Sequence, residues 1–133
     1  MAGRDTLLDR VREARELAYA PFSDFPVGAG LGGEDGSIHM GRNVENAFHL
    51  LGVCAECNAV AAPVVAGGRR FRTLALSVSG SDPKPPCGGC CQVLAEFAPD
   101  LRVISEGVSG SRVEWSLGDL LPEPFLSQGR EQP

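Results

Sequence analysis

The sequence predicts an α/β fold, a three-layer α/β/α sandwich whose mixed sheet has roughly five strands. Three observations lead there. Stretches with helical periodicity alternate along the chain with stretches of period two, all of them are short, and 133 residues make one hydrophobic core with little room for a second. Residues 1–133 therefore read as a single domain, closing in a polar, frayed tail from about residue 122.

Leu7, Leu8, Val11, Ala14 and Ala18 recur at three- and four-residue spacing, which predicts an amphipathic helix over residues 4 to 18, ended by Pro21. Phe25, Val27, Ala29 and Leu31 then alternate up to the turn-forming GGEDG, and Ile38 and Met40 resume the alternation; strands at 25 to 32 and 37 to 42 form a hairpin. Residues 54 to 66 are rich in Ala and Val and too long for a buried strand, so they predict a helix kinked at Pro63. TLALSVS (73 to 79) alternates as a strand, SGSDPKPP turns, and a helix follows from about 88 to 98. Short strands near 101 to 105 and 112 to 115 precede a last helix near 116 to 121. The remaining QGREQP is the frayed end. No internal repeat interrupts this order, which places helices on both faces of the sheet.

Composition narrows the function. Apolar residues make up 43% and charged residues 22% of the chain, as in soluble folded proteins. No apolar run approaches the roughly 18 residues of a membrane span, and Arg4, Asp5, Arg10 and Arg12 interrupt any apolar leader, so a cytoplasmic protein is expected. The net charge of −5 offers no basic face for nucleic acid. A small-molecule substrate fits better.

All five cysteines fall in two clusters, VCAECNAV (53 to 60) and PPCGGCCQ (85 to 92). In a reducing compartment, an odd number of thiols in CxxC pairs points to metal binding or catalysis rather than to disulfides. Read literally, CAEC and CGGC describe a four-thiolate zinc cage; CGGC also resembles the redox motif of thiol oxidoreductases, and buried inert thiols are the plainest alternative. Glu56 argues against the closed cage. A carboxylate inside a thiolate cluster adds repulsion, whereas an open site with three protein ligands can use it to move a proton to and from water.

CAE followed at a distance by PCxxC is similar to the zinc deaminase signature, in which the glutamate is not a metal ligand. YAPFSDFPVGAGL (19 to 31), GRNVENA (41 to 47), VCAE (53 to 56), PPCGGC with QVL (85 to 94) and LLPEPF (120 to 125) resemble, in order and spacing, the small three-cysteine cytidine deaminases. The resemblance spans residues 14 to 126. It implies hydrolytic deamination of cytidine and deoxycytidine in pyrimidine salvage, with one Zn2+ per chain held by Cys54, Cys87 and Cys90 and a water in the fourth position. Glu56 would then shuttle protons from that water to the pyrimidine N3 and to the departing ammonia. The same resemblance assigns Asn43 and Glu45 to the ribose, Phe25 and Ala55 to substrate contacts, and Phe125 to the site of a neighbouring subunit. A homotetramer with shared active sites is implied in turn.

Departures from the pattern matter as well. Many relatives carry arginines where this chain has Cys57 and Cys91, so helix dipoles at the two cysteine clusters are expected to offset the thiolate charge instead. Cys57 could approach the metal and close the site, while Cys91 should point away from it. His49 stands in place of a usual tyrosine and Phe48 in place of a smaller residue, which keeps deamination of a modified cytosine nucleoside or a blasticidin-type antibiotic as an alternative. A non-catalytic four-cysteine module is the alternative from another class.

Overall fold

The computed structural model describes residues 3–126. Along the chain run α1 (Arg4–Glu16), β1 (Val27–Gly33), β2 (Ile38–Arg42), a 3-10 turn (His49–Leu51), α2 (Ala55–Val65), β3 (Phe71–Val78), α3 (Gly88–Phe97), β4 (Arg102–Glu106), β5 (Arg112–Ser116) and α4 (Leu117–Leu120). The strands form one sheet in the order β2-β1-β3-β4-β5. Only β3 and β4 run parallel; every other neighbouring pair is antiparallel. The sheet is mixed and five-stranded, and the fold is the α/β sandwich that the alternation predicts.

Period-two alternation sorts the strand side chains onto two faces. Ala29, Leu31, Leu74, Leu76 and Val103 join Ala55, Ala59, Val60 and Leu94 in the larger core, beneath α2 and α3. On the other face Ala75 and Ile104 meet Leu7, Leu8 and Val11 of α1. Glycine sets how closely the helices approach. A Cβ at Gly28 would lie 2.1 Å from the Val11 carbonyl of α1, and one at Gly41 would lie 2.2 Å from the Ala55 carbonyl and 2.4 Å from the Ala59 nitrogen of α2. Gly41 thus seats the first turns of α2 directly on β2. Gly41→Ala is expected to push that helix outward and to destabilise the fold by about 1–3 kcal/mol, read as a lowered melting temperature.

Element ends shift by up to two residues from the sequence expectation, and two helices show why. α1 stops at Glu16, well before Pro21, because the Leu17 and Ala18 amides turn back to the Ala14 and Arg15 carbonyls at 3.2 and 3.1 Å; a tightened last turn, not proline, ends it. α2 runs through Pro63 to Val65. Proline there sits in the last turn, where its missing donor forfeits a single helical bond. The helix closes at Gly67, φ 98°, with Gly67 N–H on the Val64 carbonyl and Gly68 N–H on the Pro63 carbonyl at 3.0 and 2.8 Å, the two bonds of a Schellman cap.

One buried charge lies far from the cysteines. Glu106, at the end of β4 with its side chain only 5% exposed, accepts from Arg12 of α1 at 2.6 and 2.8 Å and from Arg112 of β5 at 2.8 Å. Hydrogen bonding to Arg12 is the main cause that holds its carboxyl below the ordinary 4.5. A depressed folded-state value means the pair stabilises fully above pH 4.5, and the contribution fades as pH falls from there through the folded value. Acid unfolding monitored by circular dichroism should therefore begin at lower pH-sensitivity in Glu106→Gln, whose stability curve is flatter below pH 4.5.

The chain beyond α4 lies against α3. Phe125 N–H donates to Gln92 Oε1 at 2.9 Å, and Gln92 Nε2 donates to the Phe125 carbonyl at 2.8 Å. The rest of the predicted frayed tail, residues 127–133, falls outside the described residues.

Candidate active site

Two helix mouths meet at the cysteines. Cys54 is the N-cap of α2 and Cys87 the N-cap of α3, both with extended backbone, and Cys90 lies in the first turn of α3. Unpaired amides and the partial positive charge of a helix start gather there, so each cap is a place where a thiolate is electrostatically tolerated. The Cys87 sulfur accepts from the Cys90 amide at 3.5 Å. Helix α2 is also fastened to the sheet at this end, since Asn58 Nδ2 donates to the Arg42 carbonyl at 2.8 Å.

The Sγ atoms of Cys54, Cys87 and Cys90 lie within 4.8 Å of one another. Tetrahedral zinc with bonds of about 2.3 Å holds its sulfurs roughly 3.8 Å apart, so the three need contract by no more than about 1 Å to share an ion. Soft sulfur donors suit zinc. Among the described residues this is the one group of His, Cys, Asp or Glu whose ligand atoms cluster so closely. Cys57 stays outside that triad, although its sulfur sits 3.8 Å from that of Cys90. The buried Cys91 thiol faces the Pro86 carbonyl at 3.7 Å. Cys57→Ser should accordingly leave zinc at about one per chain by metal analysis. Loss of the metal in that variant would place a fourth sulfur on it.

Glu56 occupies the first turn of α2 and is 7% exposed. Burial pushes its carboxyl above the ordinary 4.5, opposed by hydrogen bonds from the Cys90 thiol and from its own amide. Burial is the main cause that raises the Cys54, Cys90 and Cys91 thiols, and the Glu56 charge adds to it. The carboxylate thus lies within electrostatic reach of the Cys54 and Cys90 sulfurs, an arrangement able to hold a cation and to pass a proton beside it.

Cys54 lines a cleft of about 370 Å³ whose walls also include Phe22, Ser23, Asn43, Glu45 and His49. A volume of that order suits one small molecule. The wall is built by residues 43–45, which bridge Tyr19 on one side and Val53 on the other. Asn43 is turned toward its own chain: Oδ1 accepts from Val27 N–H at 2.8 Å and Nδ2 donates to the Phe25 carbonyl at 3.0 Å. Glu45 accepts from the Phe22 and Ser23 amides at 2.9 and 3.1 Å and from the Ser23 hydroxyl. The Ser23 hydroxyl is the main cause that holds its carboxyl below the ordinary range.

The remaining sequence candidates are spread out. Phe25 is half-buried with its ring over Gly80, off the cleft lining. Ala55 buries its methyl in the core, so only its backbone is left to face the cleft. Phe125 is 81% exposed. His49 stands edge-on to Phe22, 5.7 Å between ring centroids, at the cleft rim. Two participants escape sequence reasoning: Ser23, which looks like turn chemistry, and Gln92, which fixes the backbone of Phe125 from α3.

A thiol triad at two helix mouths, a buried carboxylate beside it and a small-molecule cleft in front define a hydrolytic metal centre. Comparison with known proteins agrees. The profile of the family described as "Cytidine and deoxycytidylate deaminase zinc-binding region" matches residues 1–106, and the chain belongs to that family. A cytidine deaminase from Sporosarcina psychrophila is 40% identical, covering 96% of this chain and 98% of the relative. Among solved structures, cytidine deaminase from Burkholderia pseudomallei superposes with a TM-score of 0.89 at 40% identity, over 93% of this chain and 100% of that one. The Mycobacterium tuberculosis enzyme gives 0.81 at 35%, over 96% and 100%.

Proposed function

We propose that this protein deaminates cytidine and deoxycytidine hydrolytically, with zinc held by Cys54, Cys87 and Cys90 and Glu56 as the proton carrier. The observation that carries this reading is the placement of a buried carboxylate beside three clustered sulfurs, one of which, Cys54, lines a nucleoside-sized cleft. Zinc, when bound, supplies Lewis-acid activation of water at neutral pH. Glu56 does the rest of the proton work. It takes a proton from the water that adds at C4 and places it on N3 of the pyrimidine; it then takes the second proton from the hydroxyl now on C4 and delivers it to the exocyclic amine, which leaves as ammonia while the C4 carbonyl forms. Burial suits that task, because a carboxyl raised above its ordinary value accepts a proton more readily near neutral pH. Opposed helix starts at Cys54 and Cys87 stabilise the thiolates that hold the ion.

Glu45 and Asn43 define the sugar end. Asn43 keeps both ends of its amide on the main chain around Phe25, which makes it a brace for the strand that borders the base. Glu45 faces the cleft as the ionised acceptor for a sugar hydroxyl. The Ala55 backbone completes the substrate contacts, and Phe25 acts through its own backbone, which Asn43 braces, because its ring lies over Gly80 off the cleft.

The assembly is a homotetramer with shared sites. Leu17, Tyr19, Phe22, Phe48, Leu50 and Leu51 are each at least half exposed, an apolar rim beside the cleft that a second copy would cover. Phe125, held at its backbone and free at its ring, would reach a neighbour's site. Light scattering should return four times the 14.0 kDa chain mass. No helix among the described residues is long and apolar enough to cross a membrane, and the reading places the enzyme in cytoplasmic pyrimidine salvage.

The direct test mixes zinc-loaded protein with cytidine and follows the ultraviolet change toward uridine. Conversion supports the assignment. Failure with cytidine and deoxycytidine, together with turnover of a modified cytosine nucleoside, would move the substrate to the alternative class and place His49 at the origin of the change.

A further inference from the structure

A carboxylate offers about four lone-pair directions. At Glu45 three are taken: Oε1 accepts the Phe22 and Ser23 amides, and Oε2 accepts the Ser23 hydroxyl. One acceptor direction on Oε2 remains for a ligand. The Ser23 hydroxyl has a second bond as well, because its oxygen accepts from Phe25 N–H at 3.1 Å. From there the brace continues through Asn43, which holds the Phe25 carbonyl and the Val27 amide. The turn itself is fixed by Asp24, the one non-glycine residue with positive φ (54°) among those described, whose amide bonds to the Ala20 carbonyl at 3.1 Å. Left-handed backbone at a non-glycine residue persists only where its surroundings hold it.

We propose that Ser23 is a positioning residue for nucleoside binding: its hydroxyl locks the Glu45 carboxylate to the backbone of Phe25, so that a single acceptor on Oε2 meets the sugar at one fixed distance from the base. The proposal rests on the reading of Glu45 as the sugar acceptor. Its physical content is pre-organisation. Without the hydroxyl, Glu45 keeps two amide bonds to Oε1 but Oε2 swings about that hinge, and the ordering loss falls on substrate binding instead. The chemistry at C4 is served by other residues and should proceed at its usual rate once substrate is seated.

Four zinc-loaded variants test this with cytidine: Ser23→Ala, Ser23→Thr, Glu45→Gln and the double variant Ser23→Ala/Glu45→Gln. Ser23→Ala should raise KM by about threefold or more, as for loss of a charge-assisted hydrogen bond, with kcat within about twofold of the parent. Ser23→Thr, which keeps the hydroxyl, should restore KM. In the Glu45→Gln background the alanine should add little, because the residues act as one unit. If alanine loosens the turn, Ser23→Cys keeps the shape with a poor donor and should raise KM in the same way. A raised KM in Glu45→Gln with an unchanged KM in Ser23→Ala and Ser23→Cys overturns the proposal alone. An unchanged KM in Glu45→Gln removes the sugar-acceptor reading and the proposal with it.

Discussion

Replacing Glu56 by glutamine lowers kcat for cytidine by at least ~10²-fold while the protein keeps its fold and one zinc per chain. Glutamine has the same shape and can still occupy the first turn of α2. It cannot accept a proton from water or carry one to N3 and the leaving amine, so the loss falls on turnover. Glu56 is 7% exposed, and an uncharged amide there removes a desolvation cost instead of adding one, so thermal stability should hold or rise. Metal analysis and ultraviolet turnover on one preparation separate the two roles. Turnover that persists in the variant removes Glu56 from the reaction; zinc that disappears makes it a ligand.

Removing a sulfur acts at the other half of the site. Cys87→Ala leaves two thiolates, and zinc affinity should fall by more than the roughly 10–100-fold typical of lost outer-shell partners, taking turnover with it. Cys87 is the informative choice because it is exposed, whereas Cys90 is buried at the meeting of α2 and α3. Alanine at Cys87 disturbs no core packing. It does forfeit the cap bond from the Cys90 amide, which costs about 1 kcal/mol, so the variant should remain folded as judged by circular dichroism. Full zinc content in Cys87→Ala would show that Cys57 has entered the metal site.

Much of this architecture is written in local patterns. The apolar spacing of α1, the alternation in β1 to β5 and the cysteine pairs at two helix starts are all short-range signals, and the structure has each element where the pattern puts it. Ends are less legible. Pro21 reads as the stop of α1, but the stop is a tightened turn at Leu17, and Pro63 sits in a last turn where its missing donor matters little. The glycines of β1 and β2 carry no pattern of their own; they make sense only once α1 and α2 are known to lie on them.

At the site the same limit applies. Cys54, Cys87 and Cys90 are joined by spacing that sequence displays. Asn43 reads as a ligand-facing residue, yet both ends of its amide hold the chain around Phe25, and that use depends on a turn twenty residues earlier. Ser23 lies within YAPFSDFPVGAGL, but nothing in that stretch separates it from ordinary turn chemistry. Its importance comes from the long-range approach of Glu45, 22 residues away.

Titration of metal-free protein with zinc, with ammonia release from cytidine measured at each point, tests the central claim most directly. The rate should climb in proportion to bound zinc and level off at one ion per chain, and Glu56→Gln should bind the same zinc with almost no ammonia. Full-rate ammonia release without zinc, or a fully zinc-loaded parent protein that releases none, would contradict it.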